Sequence, residues 1–164
     1  MKTVLVILAL LVAGFLIYRY TPGEIAENAK LPTITDPWYA EVRATNDSNG
    51  REIDVAMFAR AIDEADCRNG SKAGFTNIRK ACPTCVAQEP KCSKELPPRY
   101  ARMFDDEPIS SAYLSAHSGS IRERDVRLVV YGLTDEEGMN VCEILRTELS
   151  RNYVGPTQCI APRN

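Results

Sequence analysis

The segment VRLVVYGLTDEEGMNVCEILRTELSRNYVGPTQCIA (residues 126–161) carries the clearest structural pattern in the chain. Its first six residues, Val126–Tyr131, are rich in β-branched side chains and predict a strand. Thr134, followed three residues later by a glutamate, matches a capping box and predicts the start of an amphipathic helix. A return strand is predicted over 157–161. A few strands with helices packed on one side form the α+β arrangement.

Two further elements are predicted upstream of this segment. Alternating side chains over Trp38–Ala44 indicate a first strand. Apolar residues at helical spacing predict a helix over about Glu52–Asp66, with the turn-forming Asn69-Gly70 beyond its end. The predicted fold class is therefore α+β. It comprises one N-terminal transmembrane helix and a small disulfide-stabilised domain with a few-stranded antiparallel sheet and two main helices.

The cysteines supply the predicted covalent framework; they are Cys67, Cys82, Cys85, Cys92, Cys142 and Cys159. An even number of cysteines, all on one side of an apolar segment, is typical of disulfides in an oxidising compartment. Because Cys142 and Cys159 stand apart from the other four, they are predicted to bond to each other. This bond closes a loop of about 18 residues and stabilises the fold by roughly 3 kcal/mol. The pairing of the other four cysteines is left open, since their spacing does not select one.

The motif Cys-Pro-Thr-Cys at 82–85 has two alternative interpretations. With Cys67 and Cys92 it could form a four-cysteine zinc site, because a short Cys-x-x-Cys turn suits tetrahedral thiolate ligation. It also resembles the Cys-Pro-x-Cys active sites of glutaredoxins and periplasmic disulfide oxidases, which implies thiol–disulfide exchange. That chemistry requires the first Cys at a helix N-terminus, where the helix dipole stabilises a thiolate. The irregular spacing of the other cysteines favours structural disulfides.

An apolar run from Val4 to Ile17 predicts a membrane anchor. Together with Tyr18, Arg19 and Tyr20 it would cover about 25 Å as a helix, and these last three side chains suit the headgroup region. A cleaved secretory signal is the alternative. The small-residue sites within the run match a cleavage site poorly, which favours an uncleaved anchor.

The predicted organisation has three parts. They are an anchor over 1–20, an extended linker over 21–37 that contains Pro and Gly, and a disulfide-bonded domain over 38–164. The anchor predicts contact with membrane lipid. Oxidised cysteines predict a cytoplasmic N-terminus and a domain on the periplasmic or extracellular side.

Composition and motifs favour neither catalysis nor nucleic-acid binding. A net charge of −2 lacks the basic excess on which phosphate binding depends. The single histidine, His117, is interpreted as a loop residue, and Asp105–Glu107 as a solvated acidic loop. No Gly-x-Ser-x-Gly motif, Gly-rich phosphate loop or His-rich metal-ligand spacing is found, and no catalytic residue, cofactor or metal is predicted.

The expected function is a partner-binding or structural role in an envelope or surface assembly, with a protein partner of unknown identity. The alternative is a membrane-tethered thiol–disulfide oxidoreductase that uses Cys82 and Cys85.

Overall fold

The computed structural model describes residues 34–48, 50–120 and 123–163. In chain order, the strands are β1 (Trp38–Ser48), β2 (Arg51–Ala61), β3 (Val86–Ala87), β4 (Lys91–Ser93), β5 (Tyr113–Ala116), β6 (Val126–Tyr131) and β7 (Thr157–Ile160). The helices are α1 (Glu64–Ala81), α2 (Pro98–Ala101) and α3 (Asp135–Leu149), and a 3₁₀ turn follows α2 over Arg102–Asp105.

All described strands belong to one sheet in which every pairing is antiparallel. The strand order is β3–β1–β2–β6–β5–β7, and β4 pairs with β1 on the same side as β3. The predicted α+β class and antiparallel sheet are confirmed. The described residues form three helices, and of the two predicted main helices only the one that follows Thr134 is found where expected, as α3. The sheet is larger than the few strands expected from the sequence.

The sheet separates two apolar layers. On one face it packs against α1 and α3, and the buried side chains of this layer include Val42, Val55, Ile78, Leu114, Val126, Val130, Val141, Leu145 and Leu149. On the other face α2 and the 3₁₀ turn cover a smaller layer, formed by Ala56, Phe58, Tyr100, Met103, Phe104, Tyr113 and Val129. The central strands β2 and β6 are therefore buried on both faces.

The predicted helix over 52–66 is wrong, because Arg51–Ala61 is the second strand of a hairpin. Its apolar residues were spaced by four, and residues four apart share a face in a strand as well as in a helix. The hairpin turn places Gly50 at φ 78°, which suits glycine. The helix begins instead at Glu64, where Asp63 caps it by accepting a hydrogen bond from the amide of Asp66 at 2.8 Å.

The elements predicted for the C-terminal segment agree better with the structure than the predicted helix over 52–66 does. The strand Val126–Tyr131 is confirmed with the predicted bounds. The capping box is also confirmed, because Thr134 and Glu137 exchange side-chain-to-backbone hydrogen bonds of 3.2 and 2.9 Å.

The predicted anchor, 1–20, lies outside the described residues. Within the described ranges no helix combines the length and apolar character needed to cross a membrane.

Candidate functional site

The six cysteines form three disulfides, as the sequence predicted in outline. The predicted bond Cys142–Cys159 is present and links α3 to the edge strand β7. Of the four clustered cysteines, Cys67–Cys92 links α1 to β4, and Cys82–Cys85 closes the turn after α1. Sulfurs bonded to each other are not thiolate ligands, so this pairing does not match the four-cysteine zinc alternative.

Cys82 lies at the C-terminal end of α1 rather than at the start of a helix. Its amide donates to the carbonyl oxygen of Ile78 at 2.8 Å, which continues the hydrogen bonding of the last helical turn. The negative end of a helix dipole disfavours a thiolate, and the side chain of Cys82 is buried. Thiol–disulfide exchange requires the first Cys of the motif at a helix N-terminus, and Cys82 does not lie at one.

A row of polar side chains crosses the sheet on the face opposite α1 and α3. Ser115 on β5 lies opposite Arg127 on β6 and opposite Gln158 on β7. Asp106 follows the 3₁₀ turn in the left-handed conformation, with φ 57°, and its carboxylate contacts the row. His117 joins the same group from the end of β5. We call these five residues the Asp106 cluster.

The carboxylate of Asp106 is the common acceptor of the cluster. Ser115 Oγ donates to Oδ1 at 2.6 Å, and Gln158 Nε2 donates to Oδ2 at 2.8 Å. His117 Nε2 lies 2.8 Å from Oδ2, and a guanidinium nitrogen of Arg127 lies 3.4 Å from Oδ1. Burial alone would raise the pKa of Asp106. The hydrogen bonds from Ser115 and His117 and the charge of Arg127 hold that pKa below its ordinary value.

The side chain of Arg127 is fully buried and bonds mainly to backbone carbonyl groups. Its Nε donates to Met103 at 2.6 Å, and its Nη2 donates to Phe104 at 3.4 Å. Its Nη1 donates to Ala116 and Val126 at 3.0 and 2.9 Å. Because Met103 and Phe104 belong to the 3₁₀ turn, Arg127 attaches this turn to the sheet.

The Asp106 cluster contains the residue types of a Ser-His-Asp triad, but not its geometry. In a triad the two ring nitrogens of the histidine serve different partners, one the acid and one the nucleophile. Here Nε2 of His117 faces both Asp106 Oδ2, at 2.8 Å, and Ser115 Oγ, at 3.2 Å. Ser115 is completely buried, so a substrate has no access to its hydroxyl. The arrangement supports attachment of the 3₁₀ turn rather than nucleophilic catalysis.

The interpretation of Asp106 as part of a solvated loop is wrong, since its side chain is 27% exposed and is hydrogen-bonded within the protein. No local sequence signal indicated this cluster. Its hydrogen-bonded partners lie 9, 11 and 52 residues from Asp106, and only the strand register brings them together.

A second feature is a cavity of about 100 Å³ on the helix-covered face, which we call the inter-helix cavity. Apolar side chains of β1, β2 and β6 form its floor. One wall is formed by α1 residues between Asp66 and Gly74, including Gly70, and the other includes Leu149 and Tyr153 at and beyond the end of α3. The absence of a side chain at Gly74 lets α1 approach the sheet closely, because a Cβ there would lie 3.3 Å from the terminal methyl group of Met57. Gly70 had been predicted to lie beyond a helix.

The buried carboxylate of Glu123 holds the loops beside this cavity. It accepts hydrogen bonds from the amides of Gly119, Val154 and Gly155 at 2.7, 2.5 and 3.1 Å. A Cβ at Gly155 would lie 1.8 Å from the carbonyl oxygen of His117, so only glycine allows this close approach of two backbone segments. The two loops are therefore fixed to each other at the edge of the cavity.

Comparisons of the chain with family models, with curated proteins and with solved structures find no match. Function has to be inferred from the disulfides, the Asp106 cluster and the inter-helix cavity themselves.

The substitution Asp106→Asn is expected to lower the free energy of unfolding by about 2–4 kcal/mol near neutral pH, because buried Arg127 loses its counter-charge. Since the pKa of Asp106 is lower in the folded state, its stabilising effect is present above the unfolded-state value and is lost as the pH falls through the folded-state value. The difference between wild type and Asp106→Asn should therefore shrink below about pH 4. Urea unfolding at several pH values measures it.

Asp105→Asn is the matched control, because this neighbouring side chain is exposed. It should change stability by less than about 0.5 kcal/mol at each pH. A difference between wild type and Asp106→Asn that stays constant from neutral to acidic pH would contradict the role of the Asp106 charge.

Proposed function

We propose that this chain is a membrane-anchored extracytoplasmic protein whose disulfide-bonded domain binds a partner or serves a structural role in an envelope or surface assembly. The observation that carries the proposal is the complete pairing of the six cysteines. Two of the three disulfides connect different elements of the fold, one at each edge of the sheet. Such bonds persist in an oxidising compartment, because cytosolic thiols are kept reduced.

The Asp106 cluster also favours a non-catalytic role. Its one histidine and its buried serine hold a turn against the sheet, and the carboxylate is occupied by donors from within the protein. The proposed N-terminal anchor and linker, 1–20 and 21–37, would present the domain to a protein partner outside the cytoplasm.

The alternative, a membrane-tethered thiol–disulfide oxidoreductase, would use Cys82 and Cys85. Its support is the Cys-Pro-x-Cys motif and the bond between these two residues. The position of Cys82 at the C-terminal end of α1 weakens the oxidoreductase alternative, because the helix dipole there opposes the thiolate that the exchange reaction needs.

A topology experiment tests the proposal. Cells that produce the full chain are treated with a membrane-impermeant maleimide, with and without prior reduction, and the labelled peptides are identified by mass spectrometry. We expect no labelling of the six cysteines before reduction, labelling of all six after it in intact cells, and recovery of the chain with alkali-washed membranes.

Free cysteines before reduction, or labelling only after cell lysis, would contradict the proposal. A bond at Cys82–Cys85 that opens in mild reductant while Cys67–Cys92 and Cys142–Cys159 stay closed would favour the oxidoreductase. Insulin reduction by wild type, compared with a Cys82→Ser variant, would then measure that activity.

A further inference from the structure

The two edges of the sheet differ in how well they are protected from pairing with another chain. One edge is formed by the short strands β3 and β4, and the other by β7. An edge strand leaves main-chain N–H and C=O groups without partners, and proteins commonly protect such edges with charge, proline or irregularity. The edge at β3 and β4 has all three, because residues 88–90 interrupt it, include Pro90 and bring Glu89 beside Lys91.

The edge at β7 lacks these protections. The segment 152–162, which contains β7, has no charged residue. Pro156 and Pro162 flank the strand but do not interrupt it, and β7 pairs with β5 over its whole length. Among the described residues, no strand pairs with the other side of β7. This edge is therefore open to the addition of a further strand.

The pairing with β5 determines which main-chain groups of β7 face outwards. The amide of His117 donates to the carbonyl oxygen of Pro156 at 3.0 Å, and these two residues continue the register of β5 and β7. Opposite residues of an antiparallel pair are alternately hydrogen-bonded and non-hydrogen-bonded. Gln158 is therefore bonded to β5, whereas the N–H and C=O groups of Thr157 and Cys159 point away from it.

The strand β7 is held in place on both faces of the sheet. On one face Cys159 is bonded to Cys142 of α3, and on the other Gln158 Nε2 donates to Asp106 Oδ2 at 2.8 Å. The side chain of Gln158 is exposed, and within the described part of the chain its amide oxygen has no hydrogen-bond partner. A strand fixed in this way can bind another strand at a small cost in conformational entropy.

We propose that β7 pairs in antiparallel orientation with β7 of a second copy of this chain, around a two-fold axis at Gln158. Thr157 of each copy then exchanges main-chain hydrogen bonds with Cys159 of the other copy. This pairing names a partner for the assembly role proposed above, and it rests on that role.

The side chain at the axis favours a second copy over an unrelated strand. In this register Gln158 lies opposite Gln158 of the second copy in a non-hydrogen-bonded pair, where side chains are closest. A carboxamide is complementary to itself, because it has both donors and an acceptor. Its second N–H and its oxygen can bond the other amide while the bond to Asp106 persists. No like charges meet across the axis, because 152–162 is uncharged.

Charge substitutions at Gln158 test the pairing, by sedimentation equilibrium of the full chain in detergent micelles. Gln158→Lys places two cations opposite each other at the axis, and its ammonium can still donate to Asp106. Gln158→Glu places two carboxylates there. Each variant should raise the dissociation constant of the dimer at least about ten-fold. An equimolar mixture of the two should form a heterodimer about as tightly as wild type dimerises, because opposite charges then meet.

Asn152→Lys is the matched control, since it adds the same charge to the same uncharged segment outside β7 and should leave the dissociation constant unchanged. Thr157→Pro tests the main chain independently, because it removes an outward N–H that does not pair with β5. It should also weaken the dimer at least about ten-fold, whereas Thr157→Val, which keeps the N–H, should not. Circular dichroism checks that all variants fold.

A wild-type chain that stays monomeric up to about 1 mM would overturn the pairing. A dimer with the same dissociation constant in wild type, Gln158→Lys and Thr157→Pro would also overturn it, since that dimer forms elsewhere on the chain. Failure of the mixed Gln158 variants to form a heterodimer would exclude the two-fold register and, with it, the proposal. None of these results decides the side of the membrane on which the domain lies, which the maleimide experiment measures separately.

Discussion

Reduction of all three disulfides is expected to unfold the domain under conditions in which the oxidised protein is stable. On the chain-entropy estimate, Cys142–Cys159 and Cys67–Cys92 each contribute about 3–3.5 kcal/mol, and Cys82–Cys85 contributes about 2 kcal/mol. Their combined effect is comparable with the roughly 5–15 kcal/mol by which a typical domain is stable. Thermal unfolding followed by circular dichroism, with and without reductant, measures the effect.

Paired substitutions separate the three contributions. Replacing Cys142 and Cys159 together by alanine should cost about 3 kcal/mol, whereas the same replacement of Cys82 and Cys85 should cost less, because that bond closes a much shorter loop. The Cys82/Cys85 variant is therefore the control for loss of sulfur without loss of a long covalent loop. A fully reduced protein with an unchanged melting curve would contradict the structural role of the disulfides.

The substitution Arg127→Met is expected to lower the free energy of unfolding by about 3–5 kcal/mol, although methionine has a similar length. The guanidinium of Arg127 is fully buried, and its removal leaves the carbonyl groups of Met103 and Ala116 without this donor and Asp106 without its neighbouring cation. Guanidinium chloride unfolding, followed by circular dichroism, measures the loss.

Arg146→Met is the matched control. Arg146 is half-exposed on α3, and among the described residues its guanidinium pairs with Glu143 one turn earlier, so its loss should cost less than about 0.5 kcal/mol. In a double-mutant cycle, Arg127→Met and Asp106→Asn together should cost less than the sum of the single substitutions, because both remove the same contact. Additive costs would show that the two residues stabilise the fold independently.

The sequence predicted best where the pattern was local. The strand Val126–Tyr131 and the capping box at Thr134 and Glu137 depend on residues close together in the chain, and both were found as predicted. The pair Cys142–Cys159 was also predictable, because the two cysteines were separated from the other four and flank one helix-to-strand connection.

Prediction failed where the deciding contacts were long-range or the local pattern was ambiguous. The alternation of β2 was read as helical because Ile53, Met57 and Ala61 share a face under both periods. Asp106 was assigned to a solvated acidic loop, and its contacts with Ser115, Arg127 and Gln158 depend on the register of β5, β6 and β7. The inter-helix cavity depends on the spacing of whole elements, for which Gly70 and Gly74 give no specific signal.

The central strands β2 and β6 pair with each other in the sheet, although α1, β3, β4 and β5 separate them in the chain. A ribosome must therefore complete β6 before the middle of the sheet can close, and a growing polypeptide keeps apolar strand faces exposed until then. Cys67–Cys92 and Cys82–Cys85 lie wholly within the earlier portion, so an oxidant can join them in a partly made molecule. The bond to Cys159 can form only after β7 has been synthesised, so unlike the other two it cannot stabilise an incomplete chain.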